Sequence, residues 1–191
     1  PSARIGFLLR AADLADRELA DGEQAIDRLG QALALAPADP GAHAAVRLLA
    51  ERDDLAVSAT ALLEQAARSQ RDSATLIWVF ERRLRLSTLV GDERREAWAE
   101  LAEVHETLAG DARAAWSTWV RAFGDLTPVE LELLTPLTRL AGALGTWSEL
   151  ATILDQRLAD CRDPDVEFAL AMALGGLRED IRTPVVQQYH I

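Results

Sequence analysis

Leu14 to Pro37 reads L-A-D-R-E-L-A-D-G-E-Q-A-I-D-R-L-G-Q-A-L-A-L-A-P, and its spacing decides the fold. The stretch is the end of one helix, a tight turn at Asp21-Gly22, a second helix and a proline stop. The residue before a proline is pushed out of the α region, so the second helix closes at about Ala36. Ala25, Leu29, Ala32 and Leu33 share one helix face. The two alanines mark where a neighbouring helix must come close. The rest of the chain varies this helical hairpin.

Working outward, the same reading gives further helices. The first runs from about Ala3 to Leu19. Asp39 caps a third, with Pro40 at its first position and Ala44, Leu48 and Leu49 on its buried side. A fourth spans about Leu55 to Ser69. Asp72 caps a fifth, to about Leu89. Others cover about Glu93 to Leu108 and Ala112 to Phe123. Thr127-Pro128-Val129-Glu130 and Thr146-Trp147-Ser148-Glu149 both read as capping boxes. Pro136 is expected to kink or split the helix between them, which ends at Gly145. Asp163-Pro164 opens the last helix, to about Leu177. The tail 182–191 lacks a helical period.

Composition agrees with helix throughout. Of 191 residues, 49% are hydrophobic and only 5% aromatic, and β-branched residues are sparse beside Ala, Leu, Arg and Glu. The formal net charge of −11 repels phosphate backbones and anionic lipid surfaces, so nucleic acid is not an expected partner. All 20 basic residues are arginine. Cys161 is the single cysteine, so no intramolecular disulfide forms, and no zinc-type Cys/His spacing exists. No apolar run reaches the roughly 20 residues of a membrane span, and membrane insertion is not expected. No apolar leader is visible, which by itself says little about compartment; the cytoplasm is the expected one. The chain opens directly into a helical pattern, as expected of a piece of something longer.

Offset by about ninety residues, the chain matches itself. Ala25 meets Ala115, Ile26 meets Trp116, Leu29 meets Trp119, Ala32 meets Ala122 and Leu33 meets Phe123. Leu62-Leu63-Glu64-Gln65 meets Ile153-Leu154-Asp155-Gln156, and Arg71-Asp72 meets Arg162-Asp163. Turns and charges align as well as apolar positions. Two units follow, 1–91 and 92–181, each of two helical hairpins, with 182–191 as the tail. Such a hairpin cannot bury both faces alone and gains stability by stacking on the next.

Ala25-x3-Leu29-x2-Ala32-Leu33-x3-Pro37 resembles the second helix of a tetratricopeptide repeat, down to the closing proline. L-A-D-R-E-L-A-D-G-E resembles the degenerate first helix and turn of long bacterial arrays of that type. The second copy keeps Ala115, Trp119 and Ala122, with its proline displaced to Pro128. The intervening hairpins lack the Trp-Leu-Gly-Tyr set of a full first helix. The resemblance implies an all-α, right-handed solenoid of stacked antiparallel hairpins that binds peptides or helices and builds complexes. It brings no catalytic residues.

The chemistry-bearing residues point the same way. His43, His105 and His190 are scattered, and His105-Glu106 lacks a metal-binding spacing. Cys161 has no paired histidine. Gly175-Gly176 lacks the lysine and context of a phosphate loop. Trp116 and Trp119 read as packing residues, with an exposed aromatic hot spot as the alternative. The runs Glu81-Arg82-Arg83, Glu93-Arg94-Arg95-Glu96 and Arg178-Glu179-Asp180 read as solvated faces, with groove lining the alternative. The expected function is therefore non-catalytic binding of a protein or peptide in a concave groove, with no cofactor and no metal. Arg10, Asp13 and Arg17, with Glu100 and Glu103 in the second copy, are the expected contacts. The alternatives are an architectural segment that binds other copies of itself, through the tail from Val185 to Ile191, or a regulatory arm of a larger protein.

Overall fold

The computed structural model describes residues 2–187, with side chains through Leu177. Among these residues it is all-helical, with no strand. The helices are α1 (Ser2–Arg17), α2 (Gly22–Leu35), α3 (Pro40–Ala50), α4 (Ala56–Gln70), α5 (Ser73–Leu84), α6 (Gly91–Glu103), α7 (Ala112–Asp125), α8 (Leu134–Leu144), α9 (Trp147–Asp160) and α10 (Pro164–Gln187). A π-helical turn, Val104–Leu108, follows α6, and a 3-10 turn, Leu131–Leu133, precedes α8. The chain divides into two compact units between Gly110 and Asp111. That division falls later than the one read after residue 91, because α6 and the π turn both pack on α5.

In the first unit each helix packs on the next, from α1 to α6. α1 also touches α3, and α2 touches α4. Side chains extend both rows: Arg47 of α3 donates to Thr75 of α5, and Arg68 of α4 donates to Glu100 of α6. Leu29, Leu63, Leu76 and Leu101 are fully buried between these helices. Each contributes about 2 kcal/mol through apolar burial. Ala25, Ala32, Ala59 and Ala67 are buried beside them, and their small side chains let helix backbones approach. In the second unit α7 packs on α8, α8 on α9 and α9 on α10, around Phe123, Leu137, Leu140, Leu150, Leu154 and Leu170.

Backbone detail recurs at the offset read from the sequence. Asp21 caps α2 with φ −105° and ψ 83°, and Asp111 caps α7 with φ −104° and ψ 84°. Each carboxylate accepts from the amide three residues on, at Gln24 and Ala114. The residue before each cap is left-handed, Ala20 at φ 52° and Gly110 at φ 66°. Leu19 N donates to Leu14 O, and Ala109 N donates to Val104 O, both five residues back. Ala36 N and Leu126 N close the two helices onto Ala32 O and Ala122 O.

Several local expectations are corrected. α3 buries Ala42, Val46, Leu49 and Ala50, while Ala44 is exposed and Leu48 is 65% exposed. Its inward face is set by packing on both α2 and α4. Thr127–Glu130 is not helical; Glu130 is the cap, and the 3-10 turn begins at Leu131. That register buries Leu126 and Leu133. Pro136 consequently lies in the first turn of α8, where its missing N–H has no helical partner to lose, so no kink is required. Thr146 precedes α9 without a side-chain capping bond; its amide donates to Ala141 O, and Glu149, the other half of the expected box, pairs with Arg113 at 2.9 Å. α10 continues through Gln187, so 182–187 of the expected non-helical tail are helical. Gln188 to Ile191, the outer end of the proposed tail contact, lie outside the described residues.

Candidate functional site

The five expected contact residues do not converge. Arg10, Asp13 and Arg17 are exposed on α1, and Arg17 Nε pairs with Asp13 Oδ1 at 2.7 Å. Glu103 is exposed on α6, and Glu100 is half-buried there. Glu100 pairs with Arg68 of α4 at 2.8 Å, in the row made by α2, α4 and α6. The α1 residues belong to the row made by α1, α3 and α5. Both glutamates lie in the first compact unit rather than with α7.

Glu100 leads to one of the clefts of the first unit. It is a space of about 440 Å³ bounded by α4, the end of α5, the following loop and α6. Val57, Leu86, Leu89 and Ala97 supply apolar lining. Val57 is 60% exposed, so this wall is open to a ligand. Glu93, Glu96 and Glu100 line the other side. Their i, i+3, i+7 spacing places them on one stripe of α6. Phe80 forms the floor at 2% exposure, beneath the guanidinium groups of Arg83 and Arg68 at 5.6 and 5.9 Å from its ring centre.

The arginines are tied down. Arg83 Nη1 lies 2.7 Å from Glu64 Oε2, and its Nε donates to Thr60 Oγ1 at 3.0 Å. Arg68 bridges Glu64 and Glu100, both at 2.8 Å. Glu100 first, then Glu64, holds the Arg68 pKa above its ordinary value. Four glutamates thus meet two arginines, and Glu64 takes both. Glu93 and Glu96 are exposed and hold no ion pair among the described residues.

A second cleft, of about 430 Å³, lies among Pro37, His43, Arg47 and Asp72. His43 Nε2 sits 2.7 Å from the Pro37 carbonyl oxygen, so Nε2 carries the proton. Asp72 caps α5 and accepts from the Thr75 hydroxyl at 2.6 Å. That bond, with amide bonds from Thr75 and Ala74, holds its carboxyl below the usual aspartate range. Arg47 stacks 5.1 Å from the Trp78 ring centre. These groups join one helix to the next, and no nucleophile stands against a base here.

The remaining candidates are structural in their surroundings. Trp116 is buried, as read from its spacing, whereas Trp119 is half-buried. Trp147 lies against Gly142, where a Cβ would stand 3.1 Å from Cζ2 of the indole. The half-buried Cys161 donates weakly to the Asp163 carbonyl at 3.4 Å. His105 sits half-buried in the π turn. No group of three His, Cys, Asp or Glu among the described residues is placed to hold a metal, and no described helix is long and apolar enough to cross a membrane.

Arg82 corrects the reading of its charge run. It is only 5% exposed, and donates to Ala50 O at 2.8 Å, to Glu51 O at 3.1 Å and to Asp53 Oδ1 at 2.8 Å. It caps the carboxyl end of α3, where carbonyls lack helical partners and the dipole favours a cation. Arg94 does the same for Leu84 O and Leu89 O, and Arg157 for Leu126 O. Side chains of Arg178 to Asp180 lie outside the described ones.

Sequence reasoning found Glu100 and noticed the run from Glu93 to Glu96, but missed their pairing with Val57, Phe80 and Arg83. The stripe spacing on α6 was the available signal; its apolar partners come from other helices. Compared with protein-family models and with curated proteins, the chain matches none of them. The likeness to tetratricopeptide repeats therefore rests on its own residues and helix layout.

Proposed function

We propose that this chain is a non-catalytic protein-binding scaffold that takes a helical or extended polypeptide segment into the cleft between α4, α5 and α6. The observation that carries the reading is the pairing of an open apolar wall at Val57 and Leu89 with a polar wall of α6 glutamates. Arg68 and Arg83 are already held by Glu64, Glu100 and Thr60, so a ligand meets walls that need little further ordering. A segment laid there gains apolar contact on one side and polar contact on the other. The recurring caps, left-handed turns and closing bonds support two related units of about ninety residues. We read them as a right-handed tetratricopeptide-like stack.

A photo-crosslinking residue at Val57, compared with one at exposed Gln31 on α2, tests the binding reading in native cells. A stoichiometric protein caught from position 57 and not from 31 is the expected result. Capture only from 31 would move the binding surface elsewhere.

A second reading is architectural, with surfaces that bind other copies. Phe7 and Leu14 are 64% and 56% exposed along one face of α1, and Phe168 and Met172 are 69% and 62% exposed on one face of α10. Light scattering over a concentration series, with the double variant Phe7→Ser/Phe168→Ser, decides it. A mass that rises with concentration and is returned to monomer by the variant favours self-assembly.

A further inference from the structure

We infer that the α4–α5–α6 cleft selects a cationic amphipathic segment, one that sets an arginine or lysine between Glu93 and Glu96 and an apolar residue against Val57. The inference rests on the cleft being a peptide site and adds the chemistry of its ligand. Three observations carry it.

First, the charges in the cleft are unequally compensated. Glu64 and Glu100 at the inner end are neutralised by Arg68 and Arg83. Glu93 and Glu96 at the rim hold no ion pair among the described residues. The field at the mouth is negative, and it is placed where an incoming side chain arrives before it is desolvated. Such rim charges steer encounter and set the sign of the partner more than they add affinity.

Second, the two walls differ in kind and are close together. Val57 and Leu89 reach the cleft from α4 and from the loop after α5, facing the glutamate stripe of α6. A ligand that satisfies both presents an apolar and a basic side chain on one face. An acidic or neutral polar segment would leave the two glutamates uncompensated and gain only the apolar contact.

Third, the whole chain carries a formal net charge of −11. A second copy approaching this mouth is repelled, while a basic partner is attracted over about one Debye length, roughly 8 Å at physiological ionic strength. A basic segment of another protein is the occupant that fits.

The test uses three labelled amphipathic peptides of one length, built from leucine and alanine with arginine, glutamine or glutamate on the polar face. Binding is read by fluorescence anisotropy on the unmodified chain, on Glu93→Gln/Glu96→Gln and on Val57→Ser. Both glutamates and Val57 are exposed, so melting curves are expected to be unchanged, and they are recorded as the folding control. The arginine peptide is expected to bind, to weaken about tenfold on the double glutamine variant and to weaken again as salt rises. Val57→Ser, which adds no charge, should weaken binding through the lost apolar contact while retaining the salt dependence. The glutamate peptide should show no saturable binding. Equal affinity of the arginine peptide for the chain and for the double variant would overturn the inference. If the glutamine peptide binds as tightly as the arginine peptide and loses affinity on Val57→Ser, the cleft is a peptide site without charge selection, and only the inference falls. If no peptide binds, or Val57→Ser changes nothing, the cleft reading falls with it.

Discussion

α2 and α7 begin alike and continue differently. Both follow a left-handed residue, both are capped by an aspartate in nearly the same conformation, and both close onto an alanine carbonyl. Beyond that point, α2 leads through Asp39 and Pro40 directly into α3, while α7 leads through an extended Leu126 and a 3-10 turn into α8. The next helices also end by different means. α8 stops at Gly145, whose φ of 69° lets the chain turn in the left-handed region. α3 has no glycine there, and Arg82 arrives from α5 to satisfy its last carbonyls. Where a helix end is settled within a few residues, the two units agree. Where it depends on a neighbour, they part.

The largest test sets Leu29 against Trp119, which share a sequence position but not an environment. Leu29 is 1% exposed and Trp119 half-buried. Leu29→Asp should destabilise its unit by about 4 kcal/mol, and Trp119→Asp by no more than about half of that. Denaturant melts with hydrogen exchange read separately on α2 and α7 check this. Equal losses would mean the two helices are equally enclosed. Next comes Arg82→Met, which strands the Ala50 and Glu51 carbonyls and should cost about 2 to 3 kcal/mol in the first unit. In the second unit the left-handed Gly145, whose amide donates to Ala141 O, ends α8. Asp21→Ala and Asp111→Ala should each cost about 1 kcal/mol, and a marked inequality would break the likeness of the two starts.

A pH titration sharpens the cap chemistry further. Asp72 has a depressed native pKa, first because Thr75 donates its hydroxyl. Its stabilisation is therefore complete above the ordinary aspartate pKa and is lost as pH falls through the native value. Asp72→Asn should flatten that acid-side slope in the melting midpoint. The smallest effect is at the left-handed turn. Ala20→Gly should stabilise by about 0.5 kcal/mol, relief of backbone strain partly offset by unfolded-state entropy, while Gly110→Ala should destabilise by about 1 kcal/mol.

The legible part of the site was of the same local kind. Glu93, Glu96 and Glu100 form a stripe on α6 because helical spacing alone puts them there. Their neighbours Val57 and Phe80 lie on α4 and α5, and no periodicity within α6 announces them. Arg82 was unreadable for the same reason: its run looks solvated until α3 presents two orphan carbonyls to it. Leu48 erred in the opposite sense, since an apolar residue at a helical spacing is inward only if a neighbour covers that face.

By itself the sequence determined the all-helical class, most helix starts and the positions where two stretches take the same backbone turn. Those depend on caps, prolines and side-chain period, which act within about one helical turn. Only the tertiary structure decided which faces are enclosed, which arginines end which helices, and that the acidic stripe of α6 meets an apolar wall. Most of these join residues far apart in the chain, as Arg82 joins Ala50 and Arg157 joins Leu126, and such contacts follow from how helices pack rather than from what any one of them prefers.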